Sequence, residues 1–239
     1  MRKRAKSKKI QEIDYFEEIE SDDTFYFIAG YTNGGAPFGI TWEEVIADDL
    51  KLRGAVKQDA KKVAELIHIG ITDIAEQLTG QTKKENIRKT LAQFFREENN
   101  RLSYQNIIVA DILNEVAGII ITYPGEDAAR LDEPILKRLR KKRRDEEIHF
   151  DKEADEKDFY IDTICVDDRY RGNGIGTMLL NEAEKVAVQK GYARVALNVA
   201  QSNSSARNLY EHIGYVKEKV IEINKHRYEY MVKPLKDKE

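Results

Sequence analysis

Phe159-Tyr160-Ile161-Asp162-Thr163-Ile164-Cys165-Val166-Asp167-Asp168-Arg169-Tyr170-Arg171-Gly172-Asn173-Gly174-Ile175-Gly176 reads as strand, turn, glycine loop and helix start. Phe159 to Val166 is apolar, aromatic and β-branched enough for a buried strand, and Asp167 to Tyr170 breaks it. Thr177 to Lys190 then carries Met178, Leu179, Ala183, Val186 and Ala187 at helical spacing. Glycines at 172, 174 and 176 permit positive φ and close backbone approach. Consecutive N–H groups, with those of the next helix's first turn, can therefore converge on an anion such as a pyrophosphate. The loop matches neither the Gly-x-Gly-x-x-Gly dinucleotide fingerprint nor the Gly-Lys-Ser/Thr of a Walker loop. A glycine-rich helix start packed closely on a strand would use the same letters.

A second stretch, Asn203-Ser204-Ser205-Ala206-Arg207-Asn208-Leu209-Tyr210-Glu211-His212-Ile213-Gly214-Tyr215, follows at a distance that fits helix, strand, helix. The two stretches together resemble the GNAT superfamily of N-acetyltransferases. Its signature is Arg/Gln-x-x-Gly-x-Gly/Ala, then Asn-x-x-Ala-x-x-Leu-Tyr and Gly-Phe/Tyr. Arg171, Gly174 and Gly176 fill the first motif; Asn203, Ala206, Leu209, Tyr210, Gly214 and Tyr215 fill the second. One departure is Asp168, where the family often has a proline in the turn.

Upstream, Leu52 to Val56 predicts a short strand, Asp59 to Leu78 an amphipathic helix ended by Gly80, and Thr82 to Glu98 a second helix. Gln105 to Asp111 and Val116 to Thr122, joined through Leu113-Asn114-Glu115, predict an antiparallel hairpin. Downstream, Val216 to Ile223 and Arg227 to Val232 predict a last hairpin. This order is that of a complete GNAT domain, so the resemblance covers residues 51–235. It implies an α/β fold with a mixed central β-sheet flanked by helices. Residues 1–50 form an N-terminal appendage: a tail running from basic to acidic, a hairpin, and a short helix opened by the capping box Thr41-Trp42-Glu43-Glu44. The run from Phe27 to Glu44 resembles short bacterial proteins of unknown function, which lends no chemistry.

Between residues 124 and 158 lies a charged insert. Its helix, Ala128 to Arg144, ends in Lys137-Arg138-Leu139-Arg140-Lys141-Lys142-Arg143-Arg144. That run invites a polyanion, but the acids from Asp145 to Asp158 are expected to neutralise it locally, giving a solvated helix. By the resemblance, the insert lies near the acceptor side.

A charged fraction of 35% beside 41% hydrophobic residues describes a soluble globular chain, and the net charge of −3 disfavours a nucleic-acid partner overall. One cysteine excludes an internal disulfide framework and suits a reducing cytosol, so a cytoplasmic protein is expected. No apolar run is long enough for a membrane span. His68, His149, His212 and His226 are scattered and form no spaced ligand set with Cys165, so no metal is expected.

The resemblance implies acetyl-CoA as co-substrate and direct attack by a primary amine in a ternary complex. The backbone of Ile164, Cys165 and Val166 would pair with the pantetheine arm, one N–H polarising the thioester carbonyl. Arg171, Gly172, Asn173, Gly174, Ile175, Gly176 and Thr177 would cradle the pyrophosphate. The strands Ile161 to Val166 and Arg194 to Val199 would splay to make the slot. Tyr210 matches the family tyrosine that protonates the departing thiolate; with a free pKa of about 10 it carries its proton at neutral pH. Asn203 matches the asparagine that bonds the CoA arm or caps the helix, and both roles can coexist.

For the base, Asp162 comes first, because period-two alternation places it on one strand face with Ile164 and Val166. A charged residue in an apolar strand is costly unless solvated or paired, so it serves either as that base or as the partner of an Arg or Lys. Tyr160, a step further along that face, would work through water. Asp158 and Glu156 stand at the strand mouth. Cys165, with no histidine predicted beside it, reads as a small buried hydrophobe. The acceptor stays open between small amines and peptides, as does a homodimer. A non-catalytic acyl-CoA-sensing or protein-interaction module is the competing reading.

Overall fold

The computed structural model describes residues 24–32 and 34–235, so the charged tail before Thr24 and the turn residue Asn33 lie outside it. The chain divides into two compact units, Met1–Asp48 and Asp49–Glu239. In the first, β1 (Phe25–Tyr31) and β2 (Pro37–Thr41) form an antiparallel hairpin followed by α1 (Trp42–Asp49). The capping box is made: Glu44 N–H donates to Thr41 Oγ1 at 3.2 Å, and Thr41 N–H to Glu44 Oε2 at 2.9 Å. Tyr26 and Trp42 meet edge to face with centroids 5.1 Å apart.

The second unit runs β3 (Lys51–Gly54), α2 (Ala60–Thr79), α3 (Lys84–Arg96), β4 (Ile107–Ile112), β5 (Glu115–Pro124) and α4 (Ala128–Arg143). It continues with β6 (Phe159–Val166), α5 (Ile175–Gln189), β7 (Arg194–Ala200), α6 (Ser204–His212), β8 (Val216–Ile223) and β9 (His226–Pro234). The sheet order is β3-β4-β5-β6-β7-β9-β8, antiparallel throughout except for the parallel β6–β7 pair. No helix of the described residues is long and apolar enough to cross a membrane.

Helices α2, α3 and α4 cover one face of the sheet. Val63, Ile67, Leu91, Phe95, Ile135 and Leu139 pack there with Val109, Ile119, Ile121 and Cys165 in one buried cluster. Each such aliphatic side chain removed from water contributes about 1.5–3 kcal/mol. Helix α5 covers the other face, packing on β4, β5 and β6. Gly118 permits its close approach: a Cβ there would stand 3.2 Å from Leu179 Cδ1 and 3.4 Å from Ile175 Cγ2.

Two irregularities coincide in β6. Its pairing with β5 shifts between Ile121↔Thr163 and Thr122↔Ile161, so Asp162 is the extra, bulged residue. Its pairing with β7 is confined to Phe159↔Val195, Tyr160↔Ala196 and Ile161↔Leu197, and the two strands separate from Asp162 onward. The bulge corrects the expected alternation. Tyr160 sits opposite Tyr123 and joins the cluster containing Cys165, rather than sharing the face of Ile164. Period-two alternation holds only for a uniform pleat, and the extra residue flips everything before it.

The charged insert also departs from expectation. No ion pair among the described residues joins the basic run to the acids after it. Asp151 accepts from Asn224 N–H, Glu153 pairs with Arg101, Asp155 with Lys219 and Asp158 with Arg194. The acids fold back onto the sheet, while within the basic helix Arg140 pairs with Glu133.

Candidate active site

Where β6 and β7 separate, a cavity of about 410 Å³ opens, lined on β6 by Tyr160 to Ile164 and on β7 by Leu197 to Ala200. Asn203, Ala206 and Tyr210 close one side, and Gly70, Ile71, Thr72 and Ile74 of α2, which loses helical dihedrals at Thr72, another. From Asp162 to Val166 the side of β6 turned toward β7 makes no ladder bonds among the described residues. It is an open strand edge lining a slot, able to accept an extended ligand as an added strand.

The glycine loop lies at the outer end of that edge. Gly172 and Gly174 take φ of +83° and +75°, and a Cβ on either would meet nothing within 4 Å, so their upper surface is open. The N–H groups from Gly172 to Thr177 make no backbone bonds among the described residues, and those of Ile175, Gly176 and Thr177 belong to the first turn of α5. Together they form an anion cradle at a helix N-terminus. Arg171 ties the loop to the strand by donating from Nε to Val166 O at 3.3 Å, and Asn173 Nδ2 donates to Tyr170 O and Arg171 O. The side chain of Ile175 is buried, so only its backbone can serve a ligand. An open strand edge followed by this cradle can take a long extended ligand that carries a diphosphate.

Tyr210 lines the slot and is 8% exposed; burial pushes its hydroxyl up to about 12, so it keeps its proton at every physiological pH. Asn203 caps α6, its Oδ1 accepting from Ala206 N–H at 3.1 Å, and it too borders the slot. Cys165 points away toward α2, where a Cβ on Gly70 would stand 3.5 Å from its own. Burial raises its thiol to about 11, so it stays protonated and a poor nucleophile.

Asp162 is not solitary. Arg101, in the loop after α3, donates to its Oδ2 from Nε at 2.7 Å, Tyr123 donates its hydroxyl at 2.6 Å, and Thr163 Oγ1 donates to Oδ1 at 2.7 Å. The guanidinium also grips Glu153 with both ends, at 3.0 and 2.8 Å, and reaches Asp132 at 3.3 Å. One buried cation thus holds three carboxylates. Burial alone would lower the Arg101 pKa, but Asp162 and Glu153 outweigh it and keep the group charged. Asp132 bears the imbalance: burial lifts its carboxyl to about 6 against the pull of Arg101. It faces a second cavity of about 370 Å³, and Glu153 lines both cavities.

The other base candidates are placed elsewhere. Asp158 is fully buried between Arg194 and Tyr230, whose hydroxyl donates to it at 2.6 Å. Glu156 is exposed beside Lys152. Sequence reasoning missed Arg101, Tyr123, Glu153 and Asn198. An unpaired Asp162 in an apolar strand demanded a cation, and Asn198 is likewise a polar residue in an apolar strand; those were the available signals.

A mixed sheet whose central parallel pair splays beside an N-terminal anion cradle defines an acyltransferase fold. A family model described as Acetyltransferase (GNAT) family matches residues 71–215, and the chain belongs to that family. A solved acetyltransferase structure is 33% identical, with a TM-score of 0.65 over 78% of this chain and 100% of its own. N-alpha-acetyltransferase 30 of Homo sapiens is 42% identical over 60 residues, which is 25% of this chain and only 17% of that protein. Thialysine N-epsilon-acetyltransferase of Mus musculus is 40% identical over 55 residues, 23% of this chain and 32% of the relative.

Proposed function

We propose that the chain moves the acetyl group of acetyl-CoA to a primary amine by direct attack in a ternary complex. The observation that carries this is the open edge of β6 running from the slot into the glycine cradle. The pantetheine arm adds to that edge at Ile164, Cys165 and Val166, and one of their N–H groups polarises the thioester carbonyl. The diphosphate lies over Arg171 to Thr177. The amine attacks within the slot, and Tyr210 gives its proton to the departing thiolate. The protonated Cys165 thiol and its orientation toward α2 argue against a covalent acetyl-enzyme.

Asp162 borders the slot, but its oxygens already accept from Arg101, Tyr123 and Thr163. It serves best as the anion that fixes Arg101. The acceptor is a small amine or a peptide amine; the two curated relatives carry names of both N-alpha and N-epsilon type. A cytoplasmic site of action accords with the lone cysteine being a buried free thiol. The test is calorimetric titration with acetyl-CoA, followed by CoA release against a panel of amines and peptides. Binding with turnover of one acceptor supports the transferase. Binding without turnover of any supports an acyl-CoA-sensing or interaction module.

A further inference from the structure

Resting on the transferase reading, we propose that the acceptor amine docks on Tyr160 and Asn198 and sheds its proton through the Tyr160 hydroxyl to Glu153. The carboxylates gathered by Arg101 are then the proton exit of the reaction.

The first observation is an orphan. Asn198 lines the slot from β7, and its buried Oδ1 has no partner among the described residues. Its Nδ2 is fully used, donating to Glu153 O at 2.9 Å and to the Tyr160 hydroxyl at 2.8 Å, which leaves Oδ1 as the free acceptor. A buried acceptor without a donor is costly, and in a substrate slot an ammonium N–H relieves that cost. The second observation is a directed chain. Tyr160 accepts from Asn198 and donates its own proton to Glu153 Oε2 at 3.2 Å, which leaves one lone pair of its oxygen unused, and the residue lines the slot. The ammonium donates one N–H to Asn198 Oδ1 and another to Tyr160 Oη.

The transfer balances. An N–H bond of the ammonium breaks as an O–H bond forms at Tyr160; the original Tyr160 O–H breaks as one forms at Glu153. A neutral amine and a carboxylic acid result, and Tyr160 ends unchanged. Glu153 takes this role rather than Asp162 because it accepts from the Tyr160 hydroxyl and lines both cavities, whereas the tyrosine that donates to Asp162 is Tyr123. From Glu153 the proton passes to Asp132, bound to the same guanidinium and open to the second cavity. Asp132 faces Arg101, Glu153 and Asp162, with Glu133 on its own helix and His149 and Lys152 across the cavity. Its carboxyl, held near 6, suits a group that takes a proton and releases it to solvent at neutral pH.

The experiment is the pH dependence of acetyl transfer from acetyl-CoA to a panel of spermidine, a lysine-containing peptide and peptides with free N-termini. The full chain is compared with Tyr160→Phe, Glu153→Gln, Asp132→Asn and Asn198→Ala, and acetyl-CoA binding is measured in each. The native rate is expected to rise through about pH 6. Tyr160→Phe and Glu153→Gln each lower kcat about tenfold or more with donor Kd unchanged. Asp132→Asn moves the acid limb to lower pH, and Asn198→Ala raises the amine KM at least about fivefold. Native kcat and an unmoved acid limb in both Tyr160→Phe and Glu153→Gln overturn the relay while leaving the transferase standing. Absence of turnover by the native chain on the whole panel, with acetyl-CoA bound, removes the transferase reading and this one with it.

Discussion

Arg101 and Asp162 are 61 residues apart in sequence, yet their side chains touch, each only 5% exposed, with Nε 2.7 Å from Oδ2. The contact ties the loop after α3 to the bulge of β6, where the strands begin to part. Removing one partner of a buried pair strands the other, at a cost of about 3–5 kcal/mol. Arg101→Ala is expected to fall in that range by chemical denaturation, since it leaves Asp162, Glu153 and Asp132 crowded without a cation. Asp162→Asn should cost clearly less, because Arg101 keeps two carboxylates. Equal losses would show that the cluster does not hold the bulge.

Tyr210 supplies the next prediction. With its hydroxyl at about 12, it remains an acid across the working range, so it contributes no falling limb to a pH profile below about pH 11. Tyr210→Phe is expected to lower kcat about tenfold to a hundredfold at every pH from 6 to 9, as order-of-magnitude bounds on losing one general acid. Acetyl-CoA affinity by calorimetry should change little. A matching loss of donor binding would reassign the residue to packing.

At Gly174 the backbone has φ +75° and open space above. An alanine there clashes with nothing in the protein but costs about 1–2 kcal/mol for the left-handed conformation, a fall in Tm of roughly 2–8 °C for a domain of this size. Its methyl, however, stands in the open space where the proposed function puts the diphosphate. Gly174→Ala should therefore weaken acetyl-CoA binding about tenfold or more while the protein stays folded. Unchanged affinity would argue against the cradle.

The parts of the molecule legible in sequence are those written in consecutive residues. The strand, the glycine loop and the helix start from Phe159 to Gln189 follow from composition and period, and so does the Thr41–Glu44 capping box. The cluster around Arg101 could not be read this way, because its members come from four separate segments and only tertiary folding assembles them. Period-two alternation puts Tyr160 on the wrong face of its strand, because the bulge at Asp162 changes the parity without changing the letters. The acids after the basic helix have the composition of local counterions, but cations brought up by the fold, Arg101 in the loop after α3, Arg194 on β7 and Lys219 on β8, take three of them instead.

Asp167 joins α2 to the turn before the glycine loop. Burial would raise its carboxyl, but Lys62 and the N–H and guanidinium of Arg169 outweigh that and hold it at about 2. A depressed folded pKa gives stability that is present above the unfolded value, about 3.9, and lost as pH falls through the folded one. Allowing for the partial exposure of both cations, the contribution is about 1–2 kcal/mol. Asp167→Asn should be less stable than the native chain at pH 7 by that amount, with the gap closing between about pH 4 and pH 2. A gap independent of pH would mean that shape, not charge, matters there.

Asp132 has the opposite sign. Its carboxyl is raised to about 6 by burial and by Glu153 and Asp162, so between about pH 4 and pH 6 the folded chain binds a proton that the unfolded chain has released. Stability then falls as pH rises through this window, by about 2–3 kcal/mol for a shift of this size. Asp132→Asn removes that penalty, because the amide never ionises and Arg101 still has two carboxylates. It also loses the 3.3 Å ion pair, a constant debit that a single-pH comparison would confuse with the titration. The informative quantity is accordingly the change with pH: the variant should gain on the native chain by up to about 2–3 kcal/mol between pH 4 and pH 8. Parallel stability curves would mean that Asp132 ionises as an ordinary aspartate, and Asp132 could then no longer be the last stop of the proton exit.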